Sequence, residues 1–197
     1  MARTQATDYD QRRLAIVEAA AELYAEHGFL GASLVELAAR CNSSKSLIYH
    51  YYASKEDILF EVMSSHVDAL NAAADAVVAL KVPPEEKLRK LSHDFMRLYV
   101  GAVARHKVLL NELDHLTETR RAEIIQSQRR LIATVEALLG QIQPKLKGSK
   151  RLSRPATMLF FGMINWTHTW FNPAGKAGAD QVADLTVDIM LKGLPGV

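Results

Sequence analysis

The sequence predicts an all-α protein with a small N-terminal helix-turn-helix domain and a larger C-terminal helical bundle. Three observations support this. Apolar residues recur at spacings of three and four along most of the chain, as in Leu88, Leu91, Phe95, Leu98, Tyr99 and Ala102. No stretch alternates apolar and polar residues as a half-buried strand would, and no internal repeat is visible. Of 197 residues, 49% are hydrophobic while only ten are Gly and six Pro, which fits a compact, mostly helical and soluble chain.

The elements follow in order. Leu14, Val17, Ala21 and Tyr24 place an apolar stripe on a first helix over 11–26, and His27-Gly28 stops it. Ser33 caps a second helix, with Glu36 placed to complete a capping box and Leu34, Leu37 and Ala38 on its apolar face. Asn42 suits a tight left-handed corner. Ser44 then caps a short third helix that turns Ile48 and Tyr52 inward and shows Lys45, Ser46, Leu47, Tyr49 and His50 on its other face. Two short helices joined by three residues make a helix-turn-helix, whose second helix is sized for the DNA major groove. Ser54 caps a long fourth helix, with Asp57 at the capping-box position and Ile58, Val62, Val67 and Leu70 carrying it to about residue 80.

These residues also resemble a family. Leu37-Ala38, Ser44-Lys45, Ile48-Tyr49-His50-Tyr51-Tyr52 and Ser54-Lys55-Glu56 resemble the signature of TetR-type bacterial transcriptional regulators. So does the approach to them, Ile16-Val17-Glu18-Ala19-Ala20, Leu23-Tyr24 and His27-Gly28-Phe29. The chain departs from the pattern at Asn42 (usually Gly), at Ser43 (usually a small aliphatic residue) and at Leu47 (often Thr or Ala). On this reading Ser33 and Ser44 start the two DNA-facing helices, and Lys45, Tyr49 and Lys55 contact the phosphate backbone. Ser46, Leu47 and His50 face base edges, because phosphate contacts fix register while edges in the groove carry sequence.

Charge gives less help. The net charge is +2, and residues 1–60 hold six Lys or Arg (Arg3, Arg12, Arg13, Arg40, Lys45, Lys55) against eight acids. DNA binding must therefore rest on a few placed cations with the acids turned away. The lone cysteine, Cys41, excludes an intrachain disulfide and fits a reducing cytoplasm. A small residue packed under the turn is a simpler reading of it than a redox sensor. The N-terminus carries no signal pattern. The apolar run 155–171, interrupted by Asn165, Thr167 and His168, falls short of the ~20 apolar residues of a membrane span. A cytoplasmic protein is expected.

Lys81-Val82-Pro83-Pro84 is the clearest break. A helix follows over 85–105, with a kink conceivable at Gly101, and Leu109, Leu110, Leu113 and Leu116 mark a shorter one. The helix over 119–142 turns Ile124, Ile125, Leu131, Ile132, Val135, Leu138 and Leu139 inward. Residues 143–151 form a basic connector, more simply solvated than a contact patch. Ser153 caps the next helix with Pro155 in its first turn, 172–178 ends it, and 179–192 is the last. That makes about nine helices, divided into a DNA-binding domain over 9–56 and a ligand-binding and dimerisation domain over 57–197.

Residues 158–171 are apolar on nearly every side, and such a helix must be buried all round. Either it is central in a monomer or a partner chain covers it. With Trp166, Leu185 and Ile189 it suggests a homodimer seam of two helices per subunit, as the TetR resemblance also implies. The ending, from Phe161 through Asn172-Pro173-Ala174-Gly175 to Leu191-Lys192-Gly193-Leu194, resembles TetR regulators that respond to acyl-CoA thioesters. A pocket for such an effector would be lined by Phe95, Tyr99, Leu113, Phe161 and Trp170, with Glu112, Asn165 and His168 as polar anchors. No cofactor and no metal is expected: the histidines are scattered, and no His-Glu-x-x-His or Cys-x-x-Cys spacing occurs. Asp114 and His115 are adjacent on a helix and diverge, a poor acid–base pair. The expectation is a dimeric repressor, not an enzyme, released from operator DNA by a small apolar effector. The alternatives are a drug-efflux regulator binding cationic or aromatic drugs, a helical enzyme without metal, and an architectural helical protein.

Overall fold

The computed structural model describes residues 2–147 and 151–193, with side chains from Tyr9 onward. The centre of the basic connector (148–150) and the closing Leu194 lie outside the described residues. Among the described residues every regular element is a helix: α1 (Ala2–Gly31), α2 (Leu34–Arg40), α3 (Lys45–Tyr51), α4 (Lys55–Val78), α5 (Pro84–Gly101), α6 (Val103–Asn111), α7 (Glu118–Ile142), α8 (Ser153–Asn165), the single turn α9 (Thr167–Trp170) and α10 (Ala179–Gly193). None is long and apolar enough to cross a membrane. The chain forms two compact units, one of Met1–His66 with Ala104–Ile124 and the other of Val67–Val103 with Ile125–Val197.

In the first unit, α1 starts well before the expected residue 11, because residues 2–10 contain neither Gly nor Pro. Its buried face runs through Ile16, Val17, Ala20, Ala21, Leu23 and Tyr24. Leu14, expected on that stripe, is 55% exposed; at 100° per residue it falls off the edge of this face. As expected, Gly28 ends the first helical run, standing outside helical geometry within the span of α1. It takes φ 71°, and the Ala32 N–H closes onto its carbonyl at 3.2 Å, so a helical turn follows the kink. The first half of α4 buries Ile58, Leu59, Val62 and Met63, and the second segment adds Val108, Leu109, Leu116 and Ile124. That segment was expected with the C-terminal part, yet polar contacts tie it to the N-terminal helices. Arg105 pairs with Glu18 at 2.6 Å, the Lys107 ammonium donates to the Ala25 carbonyl at 2.6 Å, and the Thr117 N–H donates to Glu56 at 2.8 Å. Asp57 takes the Ser54 hydroxyl at 2.7 Å and the Arg120 guanidinium, and these hold its carboxyl below the usual carboxylate range.

The second unit is a bundle around Leu88, Leu91, Phe95, Leu138, Phe160 and Val187. Pro84 opens α5 in the first turn, where its missing N–H costs nothing. The helix expected to run to 105 ends at Gly101, a weak helix former, and Ala102 leaves helical geometry. Leu109 and Leu110 then lie on α6, whereas Leu113 starts a single 3-10 turn (Leu113–His115). Arg89, His93 and Arg97 of α5 bind Asp184, Asp188 and Asp180 of α10, with Arg89 bridging Asp184 (2.8 Å) and Asp188 (2.7 Å). Ser153 does not cap α8. Leu152 holds the cap position, and the Ser153 hydroxyl donates to Glu136 instead. Leu146, in the 3-10 turn Pro144–Leu146, anchors the start of the connector at 2% exposure. The apolar run expected to be buried all round breaks at Asn165 and is buried on one side only within the chain. Thr157, Phe160, Phe161 and Ile164 face the core, while Met158, Leu159, Trp166 and Trp170 are exposed.

Candidate nucleic-acid interface

Three backbone bonds fold the chain back between α2 and α3: Cys41 N–H to Leu37 O (3.0 Å), Asn42 N–H to Ala39 O (3.1 Å) and Ser43 N–H to Ala38 O (2.9 Å). Asn42 takes φ 48°, so the position that resembles a family glycine is filled by the residue that best tolerates it. Ser33 and Ser44 cap as their positions require, accepting from the Glu36 N–H at 3.1 Å and the Leu47 N–H at 3.2 Å. The capping box at α2 is only half made. Glu36 approaches His27 (3.4 Å) and Arg40 (3.7 Å) instead, and Arg40 also clamps Glu26. The Arg40 hydrogen bond holds the Glu26 carboxyl below its usual range, so both acids nearest the turn are matched by a cation.

Ile48, fully buried, and Tyr52, at 5% exposure, root α3 in the unit. Lys45, Ser46, Tyr49 and His50 are left exposed and Leu47 half-buried, with the Lys45 ammonium 5.7 Å from the Tyr49 ring centre. A short helix presenting an ammonium, hydroxyls and an imidazole beside a capped N-terminus can donate to phosphates and to base edges. Lys55, expected on the phosphate backbone, is also engaged within the protein. Its ammonium donates to the Phe29 carbonyl and lies 4.3 Å from the Phe29 ring centre, and desolvation lowers its pKa against the opposing pull of Glu112. Glu112, expected as a ligand anchor, accepts from the Phe29 N–H at 3.1 Å and lies 3.4 Å from His115. Phe29 is therefore held at both backbone atoms, with Lys55 over one part of its ring and His115 stacked at 5.4 Å. Cys41 is half-buried, and burial pushes its thiol pKa up, the reverse of a reactive thiolate.

Sequence reasoning missed the residues that grip α3 from α1. Arg13 donates to the Tyr52 hydroxyl (3.2 Å) and to Glu61 (2.7 Å), and the Tyr9 ring packs on Tyr51 at 4.7 Å. The available signal was the spacing of four through Tyr9, Arg13 and Val17, hidden because two of the three are polar.

With this geometry in place, residues 16–62 match the family model of bacterial regulatory proteins of the tetR family, and residues 81–194 match the tetracyclin repressor-like C-terminal domain. The chain belongs to the TetR family of bacterial regulators. Its fold matches a TetR-family transcriptional regulator from Bordetella parapertussis with TM-score 0.88 and 37% identity, over 94% of this chain and 96% of that one. A second structure, AibR in complex with isovaleryl coenzyme A and operator DNA, gives TM-score 0.78 and 29% identity over 90% and 97%. The HTH-type transcriptional regulator BetI of Agrobacterium fabrum is 29% identical over 93% of this chain and 90% of its own. This TetR-family chain is thus a DNA-binding transcriptional regulator and not an enzyme.

Of the residues expected to line an effector pocket, Phe95, Tyr99, Phe161, Asn165, His168 and Trp170 lie in the second unit. Phe95, Tyr99 and Phe161 do come together, with ring centres 6.1 Å and 6.3 Å from Phe95, but as packed core. Burial raises the Tyr99 phenol pKa. Trp170 stands apart from them, 56% exposed, and Leu113 and Glu112 belong to the other compact unit. Asn165 has its side-chain oxygen buried with no hydrogen-bond partner, and the His168 ring nitrogen Nδ1 lies 2.7 Å from the Asn165 backbone carbonyl. Two open apolar grooves flank α8. One of about 390 Å³ runs along Leu146, Leu152, Leu159, Met163 and Met190; the other, of about 470 Å³, along Trp166, Trp170, Val182, Leu185 and Ile189. Neither is lined by Phe95, Tyr99 or Phe161. Among the described residues no cluster of His, Cys, Asp or Glu could hold a metal.

Proposed function

We propose that this TetR-family chain is a homodimeric, ligand-controlled repressor, released from a pseudo-palindromic operator by an acyl-CoA or a related apolar acid. The outward set of α3 carries the reading: Lys45 and Tyr49 set register on phosphates, and Ser46, Leu47 and His50 face base edges, with Ser33 and Ser44 at the helix starts. The phosphate role of Lys55 requires it to share its ammonium with the Phe29 carbonyl. A single helix-turn-helix reads one half-site, so a second copy is needed for a palindrome. The exposed face of Leu159, Trp166, Leu185 and Ile189 supports a seam in which α8 and α10 pair with their counterparts.

The effector class rests on two supports: AibR, similar along most of the chain, is known in complex with isovaleryl coenzyme A, and Asn165 keeps a buried acceptor unmatched. An orphan of that kind costs about 1–3 kcal/mol, which a ligand donor would recover. Asn165 and His168 are the anchors, and the Phe95–Tyr99–Phe161 core must part to admit an apolar tail. Release requires that the ligand prefer the non-operator conformation, since equal affinity for both shifts nothing. The helix α4 gives its first half to one unit and its second half to the other, so its tilt is the route of coupling. A typical coupling of about 1–3 kcal/mol would lower operator affinity roughly 5–150-fold. Thermal-shift titration against acyl-CoAs, free fatty acids, aromatic acids and cationic drugs tests this. Acyl-CoAs should stabilise the protein and release DNA, and Asn165→Leu should weaken release without weakening operator binding. Stabilisation by the cationic drugs alone would replace the acyl-CoA reading with drug-efflux control.

A further inference from the structure

We infer that Tyr9, outside the stretch that matches the family's DNA-binding model, is a positioning residue for base reading: it fixes the last turn of α3 and with it the His50 imidazole. The inference rests on the proposed role of His50 at a base edge. With seven residues, from Lys45 to Tyr51, α3 has few intrahelical bonds to hold its end. His50 and Tyr51 stand in that last turn, and the next residue, Tyr52, has already left helical geometry. Side chains there need support from outside the helix if one rotamer is to meet a base.

That support comes from α1. The face that buries Val17 is continued by Arg13 and Tyr9 at intervals of four, so both point the same way, one turn apart. Arg13 takes Tyr52, through its hydroxyl at 3.2 Å and with the guanidinium 5.6 Å from the ring centre, and is itself fixed by Glu61. One turn earlier, Tyr9 takes Tyr51 at 4.7 Å in a tilted stack. It also meets His50 edge to face at 6.5 Å, while His50 and Tyr51 make their own edge contact at 5.3 Å. The three rings contact one another pairwise, so the exposed imidazole has one aromatic neighbour on α1 and another on its own helix. Tyr9 remains 40% exposed, so core burial does not explain it, and the ring contacts are what it offers. The part of α1 before residue 16 thereby carries the two side chains that hold the reading end of the recognition helix.

Aromatic pairs of this geometry change an equilibrium by roughly 3- to 10-fold. The test uses the full chain and a randomised duplex library from which wild-type protein selects its preferred site. Tyr9→Ala, Tyr9→Phe, His50→Ala and the double variant Tyr9→Ala/His50→Ala are then profiled on that site and on random duplex. Tyr9→Ala should bind the selected site roughly 3- to 10-fold more weakly and leave random duplex unchanged. It should relax preference at the same base pair as His50→Ala, with no further loss in the double variant, and Tyr9→Phe should behave as wild type. The inference is overturned if Tyr9→Ala weakens both duplexes alike, or if Tyr9→Phe fails as Tyr9→Ala does, since the hydroxyl would then be a phosphate contact. A His50→Ala profile identical to wild type would remove the proposed role of His50 itself. A normal melting curve for Tyr9→Ala keeps misfolding out of the comparison.

Discussion

Two exposed faces of this TetR-family chain are built from opposite chemistry. The outer side of α3 shows an ammonium, hydroxyls and an imidazole, and Arg40 matches the two acids nearest its turn. The outer side of α8 and α10 shows Leu159 at 66%, Trp166 at 64% and Leu185 at 60% exposure, with no charged residue among those that line its groove. Exposure is common to both, so exposure alone says nothing of partners. Donors that stay hydrated until a polyanion replaces the water suit DNA. Apolar side chains left in water gain only from another apolar surface, at about 25 cal/mol for each Å² covered. In our proposal the first face is addressed to nucleic acid and the second to a second copy of the chain.

The largest effect that separates the faces is expected at the apolar one. Leu185→Glu with Ile189→Glu places charges where a partner would desolvate them. Both positions are exposed in the single chain, so the fold should survive. Light scattering should report a monomer, and operator affinity should fall by roughly two orders of magnitude or more as the avidity of the second half-site is lost. An unchanged dimer would put the seam elsewhere.

Next in size is a stability effect inside the DNA-binding unit. His66 is 2% exposed and lies 3.2 Å from His106, and desolvation followed by the nearby Arg105 charge brings its pKa down to about 4. Because the folded value lies below the ordinary 6.5, the unfolded state binds more protons between the two. Stability is therefore full above pH 6.5 and drains as pH falls toward 4, by up to about 3 kcal/mol. Urea denaturation from pH 7.5 to 4 should show this slope, and His66→Phe should flatten it. A slope unchanged in that variant would assign the acid sensitivity to other groups.

The two lysines sharpen the contrast within one face. Lys45 is exposed and its loss should cost less than about 0.5 kcal/mol of stability. Lys45→Ala should instead reduce the salt dependence of DNA binding by about one unit of slope. Lys55→Ala removes the donor from Phe29 and the cation over its ring, so it should lower stability by about 1–2 kcal/mol besides any change in that slope. Melting curves and salt titrations of the two variants separate the roles; equal melting temperatures would show that the Phe29 contact is idle. The smallest effect is Leu47→Ala, which should shift preference at a single base pair, readable by site selection, with stability nearly unchanged.

What could be read from the chain before its structure follows from how local each feature is. The caps at Ser33, Ser44 and Ser54, the corner at Asn42 and the break at Pro83-Pro84 are set by neighbours in sequence, and each took its expected form except the returning Glu36. The helix-turn-helix was legible for the same reason. The sharing of Lys55 with Phe29, the use of Glu112 on a backbone amide and the packing of Tyr9 on Tyr51 join residues far apart in the chain. Spacing can place such a residue on a helix face but does not identify its distant partner. The apolar stretch near Phe161 was legible as hydrophobic, but periodicity could not separate its core side from its outer side, because both are apolar.

The most direct test of the account is the form of DNA the full chain selects and the number of chains that bind it. Selection from a randomised duplex library, followed by analytical ultracentrifugation of the complex, supplies both. The account predicts an inverted repeat with half-sites about one helical turn apart, ~34–36 Å, or a multiple of that, occupied by an even number of chains. Enrichment of no repeat, or one chain bound to a single half-site with full affinity, would contradict it.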